Sequence, residues 1–376
     1  MINIIPVDSK FLQKKFVKFH YDLYADTPQW VPPFKTDIYT MMNKKKHPFY
    51  EHSISDFFLA ERDGKVVGRI SALENKPFND YHHTKDAEFY LFDTINDQEV
   101  ANALFDTIVR WAKEHGLDRL VGPKGYGPLD GYGIQIEGFE HRQMMNMMNY
   151  NFPYYQNLVE TYGFVKEVDF ISSFLDPQQF VPSEKVTKAV EIVKKRGTLR
   201  VKSFKDKREV LKWADKIGQA YNKSFVNNWE YYPLTKAEID YLVSNIVTIV
   251  IPRLMQIVLN KEDEIVGFVL PFPDVSGAMQ KNKGNLGPIE ILRLLQEVKR
   301  THFLDFNGVG ILPEYQGMGG DAIIFQALAT AAQSTDQFKE SELTQVAETA
   351  VQMRKDLANL GVTPWKNHRV YRLNFA

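Results

Sequence analysis

Apolar and polar positions along the chain change period several times, and each change marks an element. "FFLAERDGKVVGRISAL" (Phe57 to Leu73) reads as two strands around an Arg-Asp-Gly turn, which predicts a hairpin. "AEFYLFDTI" (Ala87 to Ile95) predicts a third strand. Beyond it Val100, Leu104, Ile108 and Trp111 recur at helical spacing, and His115-Gly116 ends that helix. The strand "DRLVG", the short helix "YYQNLVETYGF" (Tyr154 to Phe164) and the strand "VDFISSFL" complete the series. Ahead of the hairpin, "VDSKFLQKKFVKFHYDLY" starts a helix.

The series then repeats. "MQIVLNKEDEIVGFVLPF" (Met255 to Phe272) copies the hairpin, with "KVVGRI" answered by "EIVGFV", and Gly68 and Gly267 lie 199 positions apart. "MRKDLANLGV" (Met353 to Val362) answers the short glycine-ended helix, and Gly163 and Gly361 lie 198 apart. Two anchors at nearly one offset predict two copies of a single fold. The second copy begins with "LRVKSF", a helix through Leu211 to Tyr221 and a helix opened by the capping box "TKAE". After its hairpin come "HFLDFNGVGIL", a long helix from Asp321, "SELTQVAE", the short helix and "HRVYRLNF". "DPQQFVPSEK" has linker composition, so the expected division is 1–176, a linker at 177–185, and 186–376.

Composition narrows the function. A chain of 376 residues, 44% hydrophobic and 25% charged, fits two globular domains. The net charge of −1 gives no overall field for nucleic acid or an anionic membrane. Without cysteine there is no disulfide, thiolate nucleophile or cysteine metal site, which fits a reducing cytoplasm. The most apolar stretch, Asn245 to Leu259, is broken by Pro252 and Arg253, short of the ~20 residues of a membrane span. His82 and His83 are adjacent and point to opposite faces of an extended chain, so no metal is assigned.

The candidate chemistry centres on "GVGILPEYQGMGGDAIIFQAL" (Gly308 to Leu328). A strand, a glycine turn and a helix N-terminus form an anion cradle, with backbone N–H groups pointing outward and the helix dipole behind them. Asp321 stands in its mouth, where it serves equally as an N-terminal acid of the helix. "GPKGYGPLDGYGIQIEGF" (Gly122 to Phe139) lacks the helix that a dinucleotide fingerprint requires. It is either a surface loop of several turns or a pocket wall.

The order β-α-α-β-β-β-α-β-α-β with a glycine turn after the fourth strand resembles the GNAT acyltransferase superfamily, whose signature Gln/Arg-x-x-Gly-x-Gly/Ala aligns with Gln316 to Asp321. The resemblance covers nearly the whole chain and is similar to bacterial tandem-GNAT proteins of undefined substrate. It implies an α/β fold, a tandem duplication with a mixed central sheet flanked by helices in each half. It further implies acetyl-CoA or another acyl-CoA as cosubstrate, held by Ile311, Gln316, Gly317, Met318, Gly319 and Gly320. The acceptor would be a small-molecule or peptide amine, with no metal, membrane or nucleic-acid partner. By the same resemblance Tyr126, Asp130, Tyr132, Trp229 and Tyr231 line the acceptor site.

Direct attack by an amine needs a base, for which Asp305 and Glu348 are the second-half carboxylates on or beside strands. Four features depart from the family. Asp321 replaces a small residue, and "FDTINDQEVA" has no glycine turn. Val159 and Leu357 stand where a tyrosine acid is often found, and Ala350 where an asparagine is. These departures leave two alternatives beside N-acyl transfer: a non-catalytic protein binding a metabolite or partner in the old cleft, and a Fem-like aminoacyl transferase.

Overall fold

A computed structural model describes the chain except for Asn146, Phe180, Gly317, Met318, Leu360 and Ala376, and the side chains of Lys185, Asp356 and Asn359. The first half runs β1 (Ile2–Pro6), α1 (Lys10–Leu23), α2 (Lys35–Met41), β2 (Ile54–Arg62), β3 (Lys65–Glu74), α3 (Lys76–His82) and β4 (Asp86–Thr94). It continues through α4 (Gln98–Glu114), β5 (Arg119–Gly122), β6 (Ile134–Glu137), α5 (Tyr154–Tyr162) and β7 (Val165–Leu175). Next come α6 (Glu184–Arg196), β8 (Arg200–Ser203), α7 (Lys207–Ser224), α8 (Lys236–Ile246), β9 (Gln256–Leu259), β10 (Ile265–Pro273), α9 (Ser276–Asn282) and α10 (Pro288–Arg300). The chain ends with β11 (Phe303–Ile311), α11 (Gly320–Gln333), β12 (Glu340–Ala347), α12 (Val351–Asn359) and β13 (Thr363–Asn374).

Two compact units result, and neither is one continuous stretch of chain. The N-terminal unit takes residues 1–171, 276–291 and 366–376, and the C-terminal unit takes 172–275 and 292–365. In the first, strands follow the order β1-β2-β3-β4-β5, and Tyr371–Asn374 of β13 pair antiparallel with β5. Asp63 (φ 51°) and Gly64 (φ 75°) turn the β2–β3 hairpin with the paired positive φ values that match strand twist. Phe57, Leu59 and Leu73 pack with Phe16, Val17 and Ile38 of α1 and α2, whereas Phe58, Ala60, Ile70 and Ala72 pack with Val100, Leu104 and Ile108 of α4. Both faces are buried, so these strands read as nearly unbroken apolar runs. Arg69, on the α1 face, is a buried charge among them.

The C-terminal unit repeats the plan in the order β8-β9-β10-β11-β12, with α11 packed over it through Ile323, Ile324 and Leu328. The end of β7 stands here, where Ser341 Oγ donates to the Leu175 carbonyl at 2.8 Å. The predicted capping box is formed, with Thr235 and Glu238 each bonding the other's backbone.

The repeated glycines share a physical role. A Cβ on Gly68 would meet Leu104 Cδ1 of α4 at 2.8 Å, and one on Gly267 would meet Ile324 Cδ1 of α11 at 2.8 Å. In each half, therefore, a bare strand position lets the long helix lie close to the hairpin. Gly163 (φ 114°) and Gly361 (φ 74°) follow the two short helices in the left-handed conformation.

Both central strands are also interrupted at matching places. Leu91 (φ 48°) breaks β4 where its register to β3 shifts, and Gly308 (φ 148°) lies in β11 where its register to β10 shifts. The parallel pairing of β4 with β5 covers only Asp86–Glu88 and Arg119–Val121. The strands separate beyond it, and the site opens there.

Candidate functional site

Past that separation the N-terminal unit encloses a cavity of about 110 Å³, walled by Leu91, Phe92 and Asp93 of β4, Pro123 after β5, and residues of α1 and α5. Its polar centre is Asp93, which is aligned with Arg69 across the β3–β4 ladder. Arg69 Nε donates to Asp93 Oδ2 at 2.6 Å, and the Arg69 Nη1 donates to the Phe16 carbonyl at 3.2 Å. The His20 Nδ1 of α1 lies 2.9 Å from the same carboxylate oxygen, and the Tyr24 hydroxyl donates to Oδ1 at 3.0 Å. A hydroxyl has one proton, so Tyr24 spends it on Asp93 and receives that of Tyr155, 2.9 Å away. The Thr94 N–H completes the chain by donating to Tyr155 at 3.0 Å.

This arrangement sets protonation. Burial disfavours the Asp93 carboxylate, but hydrogen bonds from His20 and Arg69, with the Arg69 charge, outweigh it and hold the group well below the usual range. Burial lowers His20 from 6.5, Asp93 opposes that shift, and Arg69 adds to it. Since Arg69 already balances Asp93, a proton on His20 would leave a net positive charge in a desolvated place. Carboxylate acceptance at Nδ1 fixes the neutral tautomer with its proton there, leaving Nε2 as a lone-pair site. Among the described residues Nε2 has no hydrogen-bond partner. Trp30 packs edge-on against the His20 ring, centroids 5.2 Å apart.

Two further carboxylates line the cavity, Asp37 and Asp130. Burial pushes each up to about 6. Asp130 accepts the N–H groups of Tyr126 and Gly127 at 2.7 and 2.9 Å, which folds the glycine-rich loop around it. Gly125 has no room for a side chain, because a Cβ would lie 2.2 Å from Asp130 Cβ. Of the acceptor residues expected from sequence, the cavity thus gathers Asp130. Tyr126 is buried beside it, stacked on Phe49 at 4.2 Å, and Tyr132 stacks on Phe170 at 4.9 Å. Trp229 and Tyr231 stand in the C-terminal unit, where the Tyr231 hydroxyl donates to the Asn222 carbonyl at 2.6 Å.

The described residues of the expected cradle lie in the C-terminal unit. Ile311 ends β11, and Gln316 Nε2 donates to its carbonyl at 3.4 Å. Gly317 and Met318 lie outside the described residues. Gly319 (φ 92°) precedes α11 as its N-cap and, as glycine, brings no side chain to cap it. A Cβ on Gly319 would meet Val193 Cγ2 of α6 at 2.5 Å, and one on Gly320 would meet Ile311 Cδ1 at 2.2 Å. The space beside these glycines therefore holds apolar protein, and an anion here would be met by backbone amides. The matching end of α4 differs, since Asp97 caps it by accepting from Glu99 and Val100 N–H groups and pairs with Arg62 at 2.6 Å. Asp305 is buried on β11 and accepts the Thr344 hydroxyl, and Glu348 follows β12 in a half-buried turn.

The sequence reading did not single out His20, Arg69, Asp93, Tyr24 or Tyr155. One signal was available: Arg69 and Asp93 are charges inside otherwise apolar strands. Val159 and Leu357, at the family's tyrosine position, are both core residues, and Tyr155 stands one helical turn before Val159.

This fold, with a broken fourth strand splayed from the fifth in the N-terminal unit, is the fold of tandem GNAT proteins. Residues 18–122, which include His20, Arg69 and Asp93, match the acetyltransferase (GNAT) family. Over 368 residues the chain is 25% identical to protein YghO of Escherichia coli, covering 95% of this chain and 92% of that one. It is also 25% identical over 385 residues to the bacterial ceramide synthase of Caulobacter vibrioides, covering 98% and 97%. A tandem GNAT protein from the clavulanic acid biosynthesis pathway shares the fold at a TM-score of 0.54 and 10% identity, covering 100% of this chain and 98% of that chain. Among the described residues there is no cluster of potential metal ligands, and no helix is long and apolar enough to cross a membrane.

Proposed function

We propose that the protein is an N-acyltransferase that moves an acyl group from a coenzyme A thioester to the primary amine of a long-chain amino alcohol. The observation that carries the chemistry is the Asp93-held His20 with its open Nε2 in the cavity beside the β4 break. The substrate class is suggested by the full-length likeness to a ceramide synthase, since a ceramide is the N-acyl amide of such an amine.

In this reading the amine arrives as an ammonium and meets Asp37 and Asp130, both ionised above about pH 6. His20 Nε2 takes one proton, and the hydrogen bond from Nδ1 to Asp93 holds the resulting imidazolium in place. The freed lone pair attacks the thioester carbonyl. The C–N bond forms, the C–S bond breaks, and the leaving thiolate takes the second amine proton through Tyr155. No covalent enzyme intermediate is needed.

A coenzyme A site within the C-terminal unit is a separate proposal, independent of the His20 cavity. The first-turn amides of α11, with Gln316, Gly319 and Gly320 around them, suit a pyrophosphate. The capped end of α4 does not.

The test is His20→Gln, which keeps size and polarity but supplies no base. With palmitoyl-CoA and sphinganine, amide formation followed by mass spectrometry should fall by about 10²–10⁴-fold, a general base's usual contribution. Rates within twofold of the parent protein would remove His20 from the mechanism. Absence of any amide from the parent protein, across several acyl-CoAs and amines, would overturn the reading.

A further inference from the structure

The helix α10, "PIEILRLLQEVKR", is turned against the usual rule. An amphipathic helix on a globular unit buries its apolar stripe. Here Pro288, Ile291, Leu292 and Leu295 recur at helical spacing on one face, yet Ile291, Leu292 and Leu295 are 39%, 59% and 38% exposed. Ile289 at 62% and Leu286 at 41% widen the patch, and Leu294 is the buried residue of the helix. Charge is distributed unevenly beside it. Between positions 281 and 300 stand Lys281, Lys283, Arg293, Lys299 and Arg300 against Glu290 and Glu297. The Glu290 carboxylate is engaged locally, accepting the Gly287 N–H at 3.1 Å.

The segment leading into α10 is fastened to the cavity wall within the N-terminal unit. Gln280 Nε2 donates to the Pro28 and Trp30 carbonyls, both at 2.8 Å. Ser276 Oγ accepts the Met145 N–H at 2.8 Å, and the Lys35 N–H donates to the Gly284 carbonyl at 2.9 Å. Trp30 is itself a wall of the cavity.

We infer that α10 is an interfacial helix that lays its apolar stripe into the headgroup boundary of an anionic lipid bilayer. Ile291, Leu292 and Leu295 would enter the acyl region, while Lys299 and Arg300 meet lipid phosphates. The basic excess selects an anionic bilayer over a second copy of this chain, whose matching stripe would bring the same positive charges together. This inference goes beyond acyl transfer, and its test needs no turnover.

The full chain is floated with phosphatidylcholine vesicles, with and without phosphatidylglycerol. Binding should be strong with phosphatidylglycerol and weak without it. Leu292→Glu/Leu295→Glu should lower the partition coefficient by at least about tenfold. Lys299→Glu/Arg300→Glu should abolish the preference for anionic vesicles. All four positions are exposed, so unchanged thermal melts by circular dichroism would show the fold intact. Equal flotation of the leucine variant, or none by the parent protein, would overturn the inference. A concentration-dependent dimer that the leucine variant dissolves, without vesicle binding, would give the stripe to a second copy and also overturn it. Unchanged acylation of a short-chain, water-soluble amine by the leucine variant would separate loss of membrane seating from loss of the catalytic reading.

Discussion

Asp93→Asn tests the centre of the cavity through two consequences of one lost charge. Arg69 and Asp93 are 1% and 5% exposed and lie 2.6 Å apart. With charge centres about 4 Å apart at an effective dielectric near 20, the pair is worth about 4 kcal/mol. Breaking a buried pair from one side costs about 3–5 kcal/mol, because the other charge remains buried. Arg69 would keep its bond to the Phe16 carbonyl and the face of the Phe16 ring, so the lower half of that range is expected. The second consequence concerns tautomers. An asparagine amide can donate to His20 Nδ1, which would move the ring proton to Nε2 and remove the base. Urea unfolding near neutral pH should therefore show a loss of about 3 kcal/mol, with a fall in acylation of about 10²–10⁴-fold. The sign with pH follows from the shifts. Asp93 is depressed in the folded protein, so its contribution is complete above the ordinary carboxylate range and fades only in strong acid. His20 is also depressed, so below 6.5 the unfolded chain binds the extra proton and stability falls further as pH drops. A loss below about 1 kcal/mol, the size of an exposed pair, with normal acylation would refute the buried pair and its role.

Other changes examine other levels of the molecule. Gly68→Ala and Gly267→Ala should each cost about 1–3 kcal/mol by overpacking against Leu104 and Ile324; urea unfolding that finds one site costly and the other neutral would break the equivalence of the two halves. Asp321→Ala should raise coenzyme A affinity in isothermal titration by roughly tenfold to a hundredfold, since a carboxylate ~5 Å from a phosphate costs about 3 kcal/mol at an effective dielectric near 20. Added salt should shrink that gain, and no change would place the carboxylate away from the ligand. Acylation by the parent protein should hold steady from pH 8 down to His20's ordinary value of 6.5, because burial keeps the ring neutral; a rate already halved well above 6.5 would contradict a depressed base.

The fold was legible because duplication supplied an internal check. The paired glycines at 68 and 267, and at 163 and 361, serve the same packing and capping roles in both halves. Helix α6 escaped notice despite Val186, Ala189, Val190 and Val193 at helical spacing, because it begins at the edge of the proline-bearing linker composition. β1, at "INIIP", is short and follows no turn signal. Helix α10 was missed for a different reason, since its apolar stripe faces outward and no neighbouring element calls for it.

The cavity was harder to see because none of its chemistry is local. Asp130 could be singled out from a glycine-rich loop, where composition alone draws attention. Arg69 and Asp93 become partners only through strand register, and that register is set by the β4 break at Leu91 as much as by the turn. A one-residue slip would turn Arg69 to the α4 face and away from Asp93. His20 arrives from a helix 73 positions before Asp93, and Tyr155 from one 62 positions after it. The glycine signature, by contrast, advertises itself in sequence because a turn must be coded by consecutive residues. Motif reading therefore favours the half with a visible glycine signature, while the buried His20, Arg69 and Asp93, joined by tertiary pairing, lie in the half without one. The two halves differ in what they display: the C-terminal unit opens α11 with a glycine N-cap, and the N-terminal unit caps α4 with Asp97, paired to Arg62, while holding His20 against Asp93.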